Sequence, residues 1–565
     1  MVLSNGYGQH WLHVWSAQAM QHHKTTFESS ILAASGRHLS QYSRRYLASH
    51  PSARGRDPLE IPDFTQFSDG GESSARTLIP SPALFTFGAL DPAQLRDHTR
   101  LPTIAECATH LELLHAFYAI RKKVLSSAAW NKALGIEPET TTAYRTDRST
   151  SYDYRGYRNR TVPVRKYKVV YRDETFAVRG KEKWPFYLNL AAVRFLYWAE
   201  AVARYVPPEP ADATVHLPPL DVLMVWHALL LNPAWFNSFE NNAVKQLHGV
   251  PFPWQDIHEA IDTDRADWPF KQSAAASQWF KDHVSLEADL YEDIASETKS
   301  ERITDLLKRQ GASRDDSSTP RGITVEEIDE EILNDKSAGR DPDREYLICL
   351  HEVVTKANED PIKGLVEAAQ RQSLFVDKME KQLWIRSPAF KGTLERAIAR
   401  YRRFLQLFKL YPGKMLVPTL DIDLVWHTHQ LSPFLYKAGT NKYAGRTIDH
   451  NDKLGKPTLD DGFTRTKELY RIRFAQEYNV CTCWDCEALL SAAEGNWNSD
   501  EDIDEGAIAK LLHQNIAYHR AVEVARRKAT AADYDLASAA HLPKAESLQR
   551  VHHSLGHEVK DIRPS

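Results

Sequence analysis

Apolar residues recur every three or four positions along much of the chain, which is the spacing of one face of an α-helix. Residues 103–127 have this spacing, with Leu111, Leu114, Phe117 and Ile120 on one face. Residues 161–171, "TVPVRKYKVVY", instead alternate in the manner of a β-strand or hairpin. The acidic segment 324–335 is also predicted to be helical. The pattern predicts a mainly α-helical protein with a short β-hairpin insertion.

One segment occurs twice along the chain. "LPPLDVLMVWHALLLNPAWF" begins at Leu217, and "VPTLDIDLVWHTHQLSPFLY" begins at Val417. An aromatic helical stretch precedes each copy, from Ala191 and from Ile398. Aligned without gaps, the copies share Pro218/Pro418, Leu220/Leu420, Asp221/Asp421, Val225/Val425, Trp226/Trp426, His227/His427, Leu231/Leu431 and Pro233/Pro433. The repeat predicts two related helical lobes, each containing one helix that carries the Trp-His pair, which we call the WH helix.

Changes in composition predict where the lobes begin and end. Residues 57–100 are rich in proline, 312–322 have the composition of a linker, and 498–506 are acidic and polar. The predicted divisions are a disordered or loosely packed N-terminal tail (1–79), a first helical lobe (80–295), an acidic linker (296–340), a second helical lobe (341–495) and a helical C-terminal tail (496–565). The N-terminal and inter-lobe linkers are therefore long.

Composition excludes several classes of protein. The net charge is −4, so the chain as a whole is not a polyelectrolyte built to coat nucleic acid or membranes. No apolar run approaches the length of about 18 residues expected of a membrane span. Five cysteines, three of them clustered, do not make the disulfide framework of a small secreted domain. We expect an intracellular protein and favour the cytoplasm; the arginines and serines of residues 1–56 make a mitochondrial presequence the alternative.

Comparison of the two WH helices separates structural from functional candidates. Residues found in both copies are most economically explained by packing, and these are Asp221, Trp226 and His227 in the first copy and Asp421, Trp426 and His427 in the second. The second copy alone has Asp423, at the position of Leu223, and His429. Asp423 and His429 are therefore the better functional candidates, and with His427, which lies between them, they make up the catalytic candidates.

A metal site is one interpretation of the second copy. Asp423 lies one helical turn before His427, and His450 follows in "GRTIDHNDK". These three side chains would supply the oxygen and nitrogen ligands that suit zinc, iron or manganese. His427 and His429 would point about 200° apart on a helix, so they cannot bind one ion together. The alternative is that His427 is a buried histidine satisfied by a hydrogen bond.

The second lobe also contains a cysteine cluster, "CTCWDCEAL". Cys481, Cys483 and Cys486 occupy six consecutive positions, and Cys-x-x-Cys supplies half of a tetrahedral zinc site. His450 is a candidate for the fourth ligand. The alternatives are a redox dithiol formed by Cys483 and Cys486, which lacks the usual surrounding β-α-β pattern, and ordinary thiols. The expected cofactor is thus zinc or another divalent metal.

Residues 144–172 interleave arginine and lysine with tyrosine. Basic side chains can neutralise phosphates and tyrosine can stack on bases, which is a composition that suits single-stranded RNA. The candidate contacts are Arg155, Arg158, Arg160, Lys166, Lys168 and Tyr157. The alternative is a solvated surface hairpin. The chain contains no Gly-rich phosphate loop, no G-x-S-x-G and no H-E-x-x-H sequence, so those classes of enzyme are not indicated.

Five motifs occur in an order that resembles the glycine-rich domain protein-like family of plants and fungi. They are "LPTIAECATHLELLHAFYAIR", "PPLDVLMVWHALLLNP", "VPTLDIDLVWHTHQLSP", "GRTIDHNDK" and "CTCWDCEAL", and together they cover about residues 80–490. The resemblance implies a link to stress and growth responses and a suggested link to RNA. Plant members usually carry a Gly-rich C-terminal region, whereas this chain has 24 glycines and no such tail.

Fungal members of that family often bear the label of 2-oxoglutarate-dependent sulfonate dioxygenase. Such enzymes use a His-x-Asp pair and a distal histidine, for which His450, Asp452 and either His513 or His519 are the available residues. That class needs a strand-rich double sheet, and the flanking segments here are helical, so the label is disfavoured.

We therefore expect an interaction or scaffold protein whose partner is protein or single-stranded RNA. The alternative is a metal-dependent enzyme with a His/Asp site in the second lobe. Convergence of Asp423, His427 and His450 within a few ångströms would favour the alternative.

Overall fold

The computed structural model describes residues 79–87, 97–136, 140–151, 160–206, 215–296, 298–314, 317–334, 342–450 and 455–496, together with Ile516, His519, Glu523 and Arg527. Most of these residues are helical, and the predicted mainly α fold with a β-hairpin is confirmed. None of the helices within the described ranges is both long enough and apolar enough to cross a lipid bilayer.

The elements up to residue 334 are α1 (Ile104–Ser126), α2 (Ala128–Ala133), β1 (Thr140–Ser151), β2 (Arg160–Arg172), α3 (Phe176–Lys181), α4 (Lys183–Tyr205), α5 (Leu220–Leu230), α6 (Pro233–Ser238), α7 (Asn242–Gln246), α8 (Trp254–Ala260), α9 (Ala274–Val284), α10 (Leu290–Ala295), α11 (Glu301–Gln310), β3 (Ser313–Arg314), β4 (Ser317–Pro320) and α12 (Val325–Asn334). The segment predicted as an acidic linker thus contains two helices and a two-stranded ladder, β3–β4.

The later elements are α13 (Pro342–Lys356), α14 (Ile362–Gln382), α15 (Phe390–Leu410), α16 (Leu420–Gln430), α17 (Pro433–Ala444), α18 (Lys456–Phe474) and α19 (Trp484–Asn496). Short 3-10 turns lie at Pro82–Leu84, Leu247–Gly249 and Trp384–Arg386. The two WH helices are α5 and α16, and each is followed by a helix that begins with proline.

Helix α1 lies at the centre of the fold. Its start is fixed by a capping box, in which the Thr103 hydroxyl accepts from the Glu106 amide at 3.2 Å and the Glu106 carboxylate accepts from the Thr103 amide at 2.8 Å. Every residue from 105 to 119 is buried. The helix contacts α4 and α8 of the first predicted lobe and α14, α15 and α16 of the second. One continuous core therefore includes residues of both predicted lobes.

Each WH helix is anchored at its first turn by a buried ion pair. Arg194 of α4 donates to Asp221 of α5 at 2.6 Å, and Arg400 of α15 donates to Asp421 of α16 at the same distance. Thr419 immediately precedes α16, but its hydroxyl accepts from Arg400 at 3.1 Å and makes no capping bond. An arginine near the middle of each preceding aromatic helix was the sequence signal for these pairs.

The tryptophans of the WH helices lie in the core. Trp226 packs against Trp198 with ring centroids 5.2 Å apart. Trp426 packs against Phe404 at 5.5 Å and donates its indole N–H to the Tyr436 hydroxyl at 2.9 Å. Both side chains therefore join a WH helix to its neighbours.

The hairpin is longer than residues 161–171. Strand β1 pairs antiparallel with β2 over its whole length, with a register shift between Asp147 and Arg148. The sequence "TTTAY" at 140–144, which was not among the predicted elements, is rich in β-branched threonine and forms a strand. No other described element packs extensively on either strand, so the hairpin projects from the helical body.

Candidate metal centre

Helix α16 and the loop after α17 bring three predicted ligands together. Asp423 and His427 face the same direction because they are one turn apart on α16, and Asp423 Oδ1 lies 3.5 Å from His427 Nε2. His450 approaches from the loop, with its Nε2 3.3 Å from His427 Nε2 and 3.7 Å from Asp423 Oδ1. The three donor atoms form a nearly equilateral triangle.

The surroundings of this triangle are apolar and partly closed. The His427 ring packs against Phe375 of α14 with centroids 4.3 Å apart, and the edge of Trp426 meets His450 at 5.0 Å. The His427 side chain is 3% exposed, whereas Asp423 and His450 are 22% and 13% exposed. The site is therefore buried on the His427 side and open to solvent on the side of Asp423.

Electrostatics keep Asp423 in its charged form. Burial by itself would raise the pKa of the Asp423 carboxyl, but the neighbouring His427, His450 and Lys378 side chains outweigh it and lower the pKa below the ordinary value. Asp423 Oδ1 is itself buried and makes no hydrogen bond to the described residues. A buried, ionised carboxylate oxygen without a hydrogen bond is well suited to bind a cation.

The triangle has the dimensions of one face of a metal coordination sphere. A tetrahedral ion about 2.0–2.1 Å from each donor would hold the donors about 3.3–3.4 Å apart. The observed edges of 3.3, 3.5 and 3.7 Å are close to that value. Two imidazoles and a carboxylate on one side of an ion would leave its other positions free for water or substrate.

His429 does not join the triangle. Its Nδ1 bonds the Tyr401 hydroxyl of α15 at 3.0 Å, and its ring lies against Gly439 of α17. Burial lowers the pKa of His429 to about 4, so the ring is neutral near pH 7. The opposite orientation of His427 and His429 follows from helix geometry, as predicted.

The first WH helix has a different arrangement around its histidine. Leu223 of α5 occupies the position of Asp423, and His227 Nε2 instead lies 2.9 Å from His110 Nε2 of α1. His110 was not singled out in the sequence, where it is one of several polar residues, with Glu106, Glu112 and His115, in the helical segment 103–120. Burial lowers the pKa of His227 to about 3 and that of His110 well below its ordinary value, so both rings are neutral.

Hydrogen bonding fixes the tautomers of this histidine pair. The Thr428 hydroxyl donates to the Leu424 carbonyl at 2.8 Å, so it accepts from His110 Nδ1–H at 2.9 Å. His110 Nε2 is then unprotonated and accepts from His227 Nε2–H. The chain of bonds joins α1, α5 and α16, and it satisfies His227 without a metal.

The cysteine cluster forms a second group, which is separate from the histidine centre. The sulfur atoms of Cys481, Cys483 and Cys486 all lie within 4.8 Å of one another, with Cys481 half-buried and the other two buried. His450 belongs to the Asp423 group and is not part of this one. Cys107 and Cys349 are each buried as free thiols elsewhere.

Three of the six RNA-binding candidates lie on the hairpin. Lys166 and Lys168 are exposed on β2, and Arg160 is the first residue of that strand. Arg155, Arg158 and Tyr157 lie outside the described residues. Asp452 and His513, two of the residues available to the dioxygenase label, also lie outside them, whereas the alternative distal histidine, His519, is described.

Comparisons with known proteins agree with the ordered motifs. Residues 344–438 match the family model described as glycine-rich domain-containing protein-like. The chain is 26% identical over 289 residues to glycine-rich domain-containing protein 1 of Arabidopsis thaliana, covering 50% of this chain and 28% of that protein. It is 36% identical over 123 residues to glycine-rich domain-containing protein 2 of the same plant, covering 20% of this chain and 15% of that protein.

The chain thus spans less than a third of the length of these curated relatives. No solved structure gives a significant match. The matched segment and the two relatives support the predicted resemblance of this chain to the glycine-rich domain-containing protein-like family.

Proposed function

We propose that this protein binds a divalent metal ion through Asp423, His427 and His450, and that the ion is the centre of its activity. The observation that carries the proposal is the convergence of three donor atoms, 3.3 to 3.7 Å apart, from a helix and a separate loop. This is the runner-up interpretation of the sequence, and the geometry favours it over a scaffold in which His427 only packs.

A shared proton does not account for all three side chains. One proton between His427 and His450 would link those two rings, but Asp423 Oδ1 is 3.5 and 3.7 Å from them, beyond hydrogen-bond range. A buried carboxylate oxygen would then lack a partner, which is unfavourable by about 1–3 kcal/mol or more. A cation inside the triangle would satisfy the three donors together.

The first WH helix supplies an internal comparison. Its histidine is satisfied by a 2.9 Å hydrogen bond to His110, and Leu223 removes the carboxylate. The equivalent histidines of two helices of equal length and similar sequence therefore have different partners. The difference coincides with Asp423, which only the second copy has.

The bound ion would act as a Lewis acid. Three protein ligands would leave coordination positions for water, whose pKa a metal lowers, or for a polarised substrate oxygen. Phe375 and Trp426 would limit access of bulk water from the buried side. The exposed Lys378 lies close enough for its charge to act on Asp423, so it would favour an anionic substrate at the open side.

Metal analysis of the purified full-length chain tests the proposal. We expect about one equivalent of zinc, iron or manganese at this centre, lost in Asp423→Leu, which copies the first WH helix, and in His450→Ala. His98→Ala is the matched control, because His98 is an exposed histidine outside the centre. Equal metal content in His450→Ala and His98→Ala, with both proteins folded, would refute the proposal.

The hairpin supports RNA binding as a second function. Lys166, Tyr167 and Lys168 are consecutive and exposed, so both faces of β2 are open, and the Lys166 ammonium lies 5.5 Å from the exposed Tyr144 ring. Residues 140–172 contain nine basic residues against two acidic ones. The chain would use this hairpin to contact the phosphates and bases of single-stranded RNA.

Salt dependence distinguishes this function from a solvated hairpin. For a single-stranded RNA oligonucleotide, Lys166→Glu with Lys168→Glu should weaken binding and reduce the slope of log affinity against log salt by about 1.4, since each phosphate contact contributes about 0.7. Lys245→Glu with Lys363→Glu makes the same charge change at exposed helical positions. Equal affinities for the two double variants would exclude RNA binding by the hairpin.

A further inference from the structure

The cysteine cluster lies where two segments of the second lobe are fastened together. Trp384 donates its indole N–H to the Thr482 carbonyl at 2.7 Å, and Trp484 donates its own to the Gln382 carbonyl at 3.0 Å. These reciprocal bonds tie the loop at 481–484 to the turn after α14. The loop conformation that brings the three cysteines together is therefore held by the surrounding fold.

The cysteines approach one another at the beginning of α19. Cys483 immediately precedes the helix, Cys486 lies in its first turn, and Cys481 folds back from the loop. The positive end of the helix dipole favours negative charge on sulfur at this point. Three thiols in a space of this size can form only weak S–H hydrogen bonds, whereas three thiolates would repel one another without a cation.

We propose that Cys481, Cys483 and Cys486 bind a zinc ion through their three sulfur atoms, as a thiolate centre independent of the Asp423 centre. Zinc would displace the three thiol protons and form three zinc–sulfur bonds, while the fourth tetrahedral position would be taken by water or by another ligand.

The centre would fix the position of α19. Glu487, one residue after Cys486, accepts from Arg396 of α15 at 3.0 Å and is buried. Zinc would hold the first turn of α19 next to this ion pair and next to the Trp484 contact. Its role is therefore structural, and its loss should loosen α19 before the rest of the lobe.

Zinc binding is measured on the full-length chain carrying His450→Ala, so that the thiolate site is studied without the other centre. We expect about one zinc per chain after dialysis against a weak chelator. Cys481→Ser with Cys483→Ser and Cys486→Ser should abolish it, whereas Cys107→Ser with Cys349→Ser, which changes two single buried thiols, should retain it. Equal zinc contents in these two variants would overturn the proposal.

Cobalt substitution gives a second readout that needs no cysteine variant. Cobalt(II) added to the zinc-free protein with unaltered cysteines should produce the ultraviolet charge-transfer absorption of cobalt–thiolate bonds, and zinc should abolish it. Absence of that absorption would overturn the proposal. So would a protein mass showing two hydrogens lost to a Cys483–Cys486 disulfide after reductive purification. Because the Asp423 centre is tested by His450→Ala against His98→Ala, each site can fail without the other.

Discussion

Replacing Asp421 by Asn should leave the buried charge of Arg400 without its ion-pair partner at the first turn of the second WH helix. Arg400 and Asp421 are 10% and 5% exposed at their side chains and lie 2.6 Å apart. Removal of one partner of a buried pair costs about 3–5 kcal/mol. Arg400 would keep the Tyr478 carbonyl at 2.7 Å and the Thr419 hydroxyl as acceptors, so we place the cost near the lower limit, about 3 kcal/mol.

The first WH helix should respond more strongly to the same change. Arg194 and Asp221 are each 2% exposed, so Asp221→Asn leaves a guanidinium more completely removed from water. We expect a cost of about 4 kcal/mol, although Arg194 still donates to the carbonyls of Glu287 and Ala288. The order of the two effects, Asp221→Asn larger than Asp421→Asn, follows from burial alone.

The assay is urea unfolding of the full-length chain, followed by the fluorescence of its tryptophans and by far-ultraviolet circular dichroism. Arg400→Met with Asp421→Leu is the control, because removal of both charges leaves no unpaired ion and should restore most of the lost stability. The reasoning is refuted if Asp421→Asn costs less than about 1 kcal/mol, or if the double variant is as unstable as the single one.

Three further changes have effects that the structure fixes in sign. Burial raises the pKa of Glu112 from 4.5 to about 7, against the opposing effects of His258 and Arg386, so the folded state holds this proton more tightly. Stability should therefore fall by up to about 3 kcal/mol as pH rises from 4.5 to 7. Glu112→Gln should flatten that part of a pH series of unfolding midpoints; an unchanged slope would contradict the assignment. His227, with its pKa lowered from 6.5 to about 3, acts in the opposite direction: stability is lost as pH falls from 6.5 towards 3, and His227→Gln should reduce the acid sensitivity of the melting temperature. Gly439→Ala would place a methyl group 2.7 Å from the buried His429 ring and should cost about 1–3 kcal/mol, whereas Gly180→Ala, which meets nothing within 4 Å, should be neutral or stabilising in the same thermal unfolding assay.

Contacts within one helix could be predicted from the sequence, because the helical repeat fixes them. Asp423 and His427 are four residues apart, so their proximity needs only that α16 be a helix. The separation of His427 from His429 follows for the same reason. The helix at 104–126 was likewise evident from its apolar spacing.

Contacts between distant segments could not be derived in this way. His110 and His227 are 117 positions apart, and their meeting depends on how α1 packs against α5. His450 was proposed as a ligand on chemical grounds, but whether it would meet Asp423 or the cysteines depends on the path of the loop after α17. Strand β1 was not predicted because its threonines, serines and arginines resemble a polar loop until a partner strand supplies the hydrogen bonds.

The packing of helix α14 determines whether the chain can be divided into stable fragments. It lies beyond the predicted linker, yet it packs against α1, α4 and α5, and its Ala369 and Val376 line a small cavity together with His227. A fragment limited to residues 344–438 would expose this apolar face, and a fragment ending at residue 334 would expose the matching surface of α1 and α5. Neither piece should be stable when produced alone. Produced together, the two should reassemble by fragment complementation, with α14 supplying the joining surface.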